Sequence, residues 1–206
     1  MAVYRNPFVA REGWPIVGSL AVVAGLVWHF GSFVGSAPIW VMALAVAFLF
    51  RDPDRQIPSA PLAVVSPADG EVVAIEQTRG RYLERDCVRI SIRMSVLGVY
   101  STRSPVEGKI LEIPQTDSFN PGMPNGVWLQ TDQKDDVVVV MNRGRLHTAP
   151  RCYVRIGERV GQGQRCGFVH LGSLVEVYVP ANTRINVKPG DRVQAGSTVV
   201  ATLVRK

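Results

Sequence analysis

Between Gly13 and Phe50 the chain carries no Asp, Glu, Lys or Arg, although the whole sequence of 206 residues holds 23 basic and 17 acidic side chains. A solvated surface helix is excluded there, because it would show a charged face. Cysteine is sparse as well. Cys87, Cys152 and Cys166 are odd in number and form no C-x-x-C pair, which excludes a disulfide framework and a cysteine-based zinc site. They read as small core residues in a reducing compartment. Histidine is limited to His29, His147 and His170, the first of them inside the uncharged block, too few for the clustered ligands of a zinc peptidase. An exposed Lys beside Met at a hairpin tip, which a lipoyl or biotinyl carrier needs, is also missing. The net charge of +6 comes from scattered arginines with no nucleic-acid motif, so nucleic acid is not an expected partner. That charge suits the negative cytoplasmic leaflet of a membrane instead.

The uncharged block is too long for one span of about 20 residues and is broken by Gly31, Gly35 and Pro38. Two short apolar helices, 14–35 and 37–50, are predicted. The block runs straight into Arg51-Asp52-Pro53-Asp54-Arg55 with no small-residue cleavage site, unlike a signal peptide. Arg5 and Arg11 precede it and Arg51 and Arg55 follow it, so both ends are expected on the cytoplasmic side. The second segment is short for a span, which leaves open a hairpin that dips into one leaflet. Residues 1–55 are thus read as a membrane anchor on the cytoplasmic face of the inner membrane, and 56–206 as a separate domain.

Beyond Arg51 the pattern changes to short alternating runs bounded by Gly and Pro, among them CVRISIRM, DDVVVVMN and TVVATLV. The reading is all-β. IGERVGQGQRCGFV (156–169) and KPGDRVQAGSTVVATL (188–203) share the form Gly, acid, Arg, Val, two residues, Gly, strand. Two similar hairpins follow, as in a barrel-sandwich-like β domain, with VSPADGEVV (65–73) supplying a partner strand. The stretch between Pro114 and Asp136 is rich in Pro, Gly, Asn and Asp and is expected to be a long loop. Met123, Val127, Trp128 and Leu129 would let it act as a lipid-facing lid.

One strand opens oddly. In HLGSLVEVYVP (170–180), Gly172 and Ser173 stand at the head of an apolar run, where glycine packs nothing and marks a bend or bulge. Together with VAREGWP (9–15), FRDPDR (50–55), SPADG (66–70), RMSVLGVYSTRSPVEGKI (93–110) and GDRVQAGST (190–198), this stretch resembles the short, membrane-anchored bacterial phosphatidylserine decarboxylases. The resemblance implies self-cleavage between Gly172 and Ser173, with Ser173 converted to a pyruvoyl group. That group, the only cofactor implied, would form a Schiff base with phosphatidylserine and release carbon dioxide and phosphatidylethanolamine. The chain 173–206 would then be the partner of 1–172. Asp69 in SPADG carries over as the acid of an Asp-His pair that activates the serine. The histidine does not: Tyr100 stands in its place, with Val96, Gly98 and Thr102 at other departures. His170 is the substitute base offered by the sequence, although positions i and i+3 on a strand face opposite ways unless Gly172 forms a bulge. Before and after Gly-Ser, the arginines of the pattern are His170 and Leu174. The alternative to a working pyruvoyl enzyme is an uncleaved relative that binds lipid.

Overall fold

A computed structural model describes residues 9–58, 60, 62–79, 85–112, 125–144 and 148–204. The chain divides into two compact units, Met1–Asp54 and Arg55–Lys206.

In the first unit, α1 (Trp14–Phe30) places Pro15 in its first turn, where a missing N–H costs nothing, and stops at Gly31. Ser32 is extended, and its hydroxyl accepts the Gly35 N–H at 3.2 Å, so it caps α2 (Phe33–Leu49). The predicted break near residue 36 therefore moves to Gly31-Ser32, because a serine cap rather than Pro38 starts the second helix. Pro38 lies inside α2, at the loss of one intrahelical hydrogen bond. Ala10 N–H meets Phe50 C=O at 2.7 Å and joins the two ends of the hairpin. Trp28, Phe30, Phe33, Val34 and Leu44 are exposed on it. Each helix has 17 residues, a rise of about 25 Å, and among the described residues no helix is long and apolar enough to cross a membrane.

The second unit is β-rich and wholly antiparallel. It begins with β1 (Ala63–Val65), β2 (Gly70–Arg79), β3 (Asp86–Met94), β4 (Ser101–Arg103) and β5 (Gly108–Glu112). β6 (Asn125–Gln130), β7 (Asp136–Met141), β8 (Arg151–Cys152), β9 (Arg159–Val160) and β10 (Arg165–Phe168) follow. The chain closes with β11 (Leu174–Pro180), β12 (Arg184–Ile185), β13 (Arg192–Val193) and β14 (Val199–Thr202). Eight strands form one sheet in the order β13-β2-β3-β11-β7-β6-β5-β9, flanked by two three-stranded sheets, β1-β14-β12 and β4-β10-β8. None of these sheets closes into a barrel among the described strands.

Period-two alternation explains the core. Val88, Ile90, Ile92 and Met94 of β3 turn inward against Val175, Val177 and Val179 of β11 and Val137, Val139 and Met141 of β7. Burying each such side chain fully is worth about 1.5–3 kcal/mol, so β11, lying between β3 and β7, belongs to the most stable part of the sheet. Part of the predicted long loop belongs here too. β6 pairs with β7 from Asn125 to Gln130, and Val127 and Leu129 are core residues rather than a lid. The turn residues around them hide a six-residue strand whose alternation is too short to stand out. Met123 lies outside the described residues.

The two Gly-bounded segments are one structure used twice. Gly157 and Gly163 have φ of +85° and +71°, and Gly190 and Gly196, each 33 positions later, have +96° and +74°. Arg155 N–H bonds the Glu158 carboxylate at 2.9 Å, as Lys188 N–H bonds Asp191 at 2.8 Å. The duplication extends beyond what the hairpins reveal. In Ser66-Pro67-Ala68-Asp69-Gly70 the Ser66 hydroxyl donates to Ala68 C=O at 2.7 Å, and in Ser104-Pro105-Val106-Glu107-Gly108 the Ser104 hydroxyl donates to Val106 C=O at 2.7 Å. Gly196 N–H bonds Ser66 C=O and Gly163 N–H bonds Ser104 C=O, both at 2.8 Å. Asp69 and Glu107 thus hold equivalent positions in two copies of one turn.

Candidate active site

The site residues collect where three neighbouring strands end together. Gly70 at the start of β2 pairs with Met94 at the end of β3, and Leu174 at the start of β11 pairs with Arg93. Asp69 precedes β2, the loop 95–100 follows β3, and His170 to Ser173 precede β11, so antiparallel register alone brings these segments to one edge.

The corner before β11 is strained. Gly172 N–H closes a turn on Val169 C=O at 3.3 Å, and Leu171 and Gly172 both adopt the left-handed conformation, with φ of 56° and 66°. Leucine is held there at a cost of about 1–2 kcal/mol, which glycine avoids. A Cβ on Gly172 would also come within 3.1 Å of Met94 Cβ, so a side chain there would crowd the end of β3 in addition to straining the backbone. Ser173 is half-buried and fixed at two points. Its carbonyl accepts Met94 N–H at 2.9 Å, and its hydroxyl donates to Arg143 C=O at 2.6 Å. A carbonyl orients the hydroxyl without removing its proton.

Asp69 is held just as firmly. Oδ1 accepts Ala195 N–H at 2.7 Å and Oδ2 pairs with Arg55 at 2.7 Å, with both side chains largely buried. Its copy Glu107 pairs with Arg159 in the open, at 63% exposure. One strand lies between Asp69 and Ser173, a backbone separation of about 10 Å. A Cβ on Gly98 would lie 3.7 Å from Asp69 Cβ, so the loop 95–98 fills the space between them.

Tyr100 is fully buried, and its hydroxyl donates to Val96 C=O and braces that loop. Its own carbonyl accepts Val169 N–H at 2.9 Å, which ties the loop to the strained corner. The Tyr100 ring stands edge-on to Phe168 at 6.1 Å, and Phe168 edge-on to His170 at 5.0 Å. Such pairs contribute about 0.5–1.5 kcal/mol each beyond area burial, and the second seats the imidazole against Phe168 in the turn ahead of β11. His170 therefore sits in the turn ahead of β11, and the strand-parity objection does not apply to it.

Sequence reasoning missed several partners. Arg55, read for its charge near the membrane, is the counter-ion of Asp69. Ala195 contributes through its N–H and Arg143 through its carbonyl, groups that every residue has and no sequence pattern marks. Phe168, which seats His170, reads only as a strand residue. Burial pushes the Cys166 thiol up to about 12 and also raises that of Cys152, which disfavours the thiolate at both.

A β-rich unit with a strained Leu-Gly-Ser corner at the head of a central strand is the class that this fold and site define. The family model for phosphatidylserine decarboxylase matches residues 42–201. The phosphatidylserine decarboxylase proenzyme of Nitrosomonas eutropha is 40% identical over 96% of this chain and 96% of its own, and that of Burkholderia vietnamiensis is 39% identical over 97% and 98%. Glucose permease IIA from Mycoplasma capricolum superposes with a TM-score of 0.48 at 18% identity, covering 68% of this chain and 94% of that one, too distant to carry an argument. The chain belongs to the phosphatidylserine decarboxylase family.

Proposed function

We propose that this chain is the proenzyme of a phosphatidylserine decarboxylase that matures between Gly172 and Ser173. The observation that carries the reading is the corner itself: consecutive left-handed residues and a serine anchored by Met94 and Arg143. In maturation the Ser173 oxygen attacks the Gly172 carbonyl, the C–N bond breaks and an ester forms. Loss of the Gly172 carboxylate leaves dehydroalanine, and water then releases ammonia and leaves a pyruvoyl group at residue 173. Relief of strain at Leu171 favours the cleaved side. Asp69, fixed by Arg55 and Ala195, and His170, seated on Phe168, are the groups proposed to move the protons; Tyr100 acts by holding the loop.

The residues present fit the pyruvoyl group. The Met94 N–H that anchors the Ser173 carbonyl is main chain on a neighbouring strand, so it holds residue 173 whether or not the preceding bond is intact. When formed, the group supplies an electrophilic carbonyl that takes up the amine of phosphatidylserine and accepts the electron pair freed as carbon dioxide leaves. The three sheets are read as a barrel-sandwich scaffold around it. The hairpin α1–α2, free of charge and rich in exposed aromatic residues, is read as an anchor that dips into the cytoplasmic leaflet of the inner membrane, since each helix is shorter than the hydrocarbon thickness of about 30 Å.

Intact mass of the purified chain tests this reading. Two pieces should meet between Gly172 and Ser173, the smaller with a pyruvoyl terminus reducible by borohydride in the presence of an amine, and Ser173→Ala should stay whole and inactive. A wild-type chain that remains full length on membranes and forms no phosphatidylethanolamine would leave only the uncleaved lipid-binding alternative.

A further inference from the structure

The loop after β3 is apolar where it meets solvent. Val96 is 40% and Leu97 66% exposed, side by side, whereas the other exposed large apolar residues described in the second unit, Ile57, Tyr153, Ile156 and Val204, have no exposed apolar neighbour in the chain and need no explanation. The pair is presented by a braced turn, since Gly98 N–H bonds Ser95 C=O at 3.1 Å and the buried Tyr100 hydroxyl bonds Val96 C=O. Its inner side touches the cleavage corner: Ser95 O lies 3.4 Å from where a Cβ on Gly172 would stand. Cations stand close by in the chain and at the corner. Arg93, three residues before Val96 and opposite Leu174 in the ladder, is exposed and forms no ion pair among the described residues; Arg143, whose carbonyl holds Ser173, is exposed too.

We infer that the Val96-Leu97 turn is an interfacial foot of the second unit. Its apolar tip enters the boundary between head groups and acyl chains of an anionic phospholipid bilayer beside Ser173, and Arg93 and Arg143 meet the lipid phosphates. Two aliphatic side chains on a rigid turn flanked by arginines match that boundary, which is apolar on one side and negatively charged on the other. The inference rests on the decarboxylase reading for its purpose: a substrate whose acyl chains stay in the bilayer reaches Ser173 only if the mouth of the site lies at the bilayer surface.

The test uses the full chain as Leu97→Cys carrying an environment-sensitive nitrobenzoxadiazole label, with Ile156→Cys, exposed to 65%, as control. Phosphatidylglycerol vesicles with a quencher at shallow depth should shift the label at 97 to the blue and quench it, more than phosphatidylcholine vesicles do, and leave the label at 156 unchanged. The Ser173→Ala chain should give the same result, so the measurement does not depend on maturation. No shift at 97, equal shifts at both positions, or a shift that follows protein concentration without vesicles, as between two copies of the chain, would each overturn the inference. In a second measurement, Leu97→Asp should lower the ratio of the rate on vesicles to the rate on soluble short-chain phosphatidylserine about tenfold. An equal loss on both lipids would count against the foot. A wild-type chain inactive on both would refute the decarboxylase reading and leave the quenching experiment to decide the foot alone.

Discussion

At Leu171 the chain keeps a branched side chain in a conformation that suits glycine or asparagine, and the residue is otherwise unremarked by its chemistry. If its strain is released by cleavage, stability and maturation move in opposite directions on relief. Leu171→Asn is expected to stabilise the unprocessed Ser173→Ala chain by about 1 kcal/mol in denaturant titration and to slow processing in the wild-type background. A second prediction concerns Tyr100. Replacing it by His removes the clamp on Val96 and leaves a small void, a loss of about 1–2 kcal/mol, yet introduces a group that titrates near neutrality. With the loop unclamped, time courses of processing by gel should run slower than wild type for Tyr100→His despite the new imidazole, as they should for Asp69→Asn. The Gly172-Ser173 corner was legible in the sequence because Gly-Ser is conspicuous at the head of an apolar run. The left-handed leucine was not, because propensity puts leucine in helices and strands, and the Arg143 carbonyl could not be, because main-chain acceptors leave no mark on a sequence.

Among the elements, β11 would decide what happens after the proposed cleavage. It follows the Gly172-Ser173 bond directly, pairs with β3 from Leu174 to Pro180 and with β7 from Val175 to Tyr178, and carries three core valines. β14, also downstream, pairs with both β1 and β12. The pieces 1–172 and 173–206 are therefore expected to co-elute in native size-exclusion chromatography after maturation and to part only in denaturant; separation under native conditions would contradict this register. Alternation and Gly spacing made the strands and the hairpin repeat readable in advance. Two things escaped: β6, whose flanks are full of turn residues, and the kinship of SPADG with SPVEG, where valine for alanine and glutamate for aspartate conceal a turn made identical by its serine-to-carbonyl hydrogen bonds. The copies have diverged in charge setting, Asp69 enclosed with Arg55 and Glu107 exposed with Arg159.

For the whole molecule, two buried acids set an alkaline limit. Burial pushes Cys166 up to about 12 from an ordinary 9.0 and Tyr178 up to about 12 from 10.0. The unfolded chain loses these protons first as pH rises, so the stability contributed by the neutral groups is complete below pH 9 and is lost towards pH 12. Denaturation midpoints of the Ser173→Ala chain, followed by near-ultraviolet circular dichroism, should fall across that window, and Cys166→Ala should make the fall shallower. The division into an uncharged helical hairpin and a β-rich remainder was visible from charge alone, but the helix boundaries were not, since a single serine cap outweighed proline. β11 enters the sheet directly behind the bond proposed to break. Before the bond breaks, chain connectivity holds β11 near its neighbours, and refolding from denaturant needs only loop closure. Afterwards the same ladder has to be rebuilt by collision of two separate chains, one of them a fragment without a core of its own, at the entropic cost of association. The mature form would thus be reached once and left once. Its lifetime is governed by how slowly β11 leaves the sheet, and a denatured mature sample, unlike its precursor, should not recover on dilution.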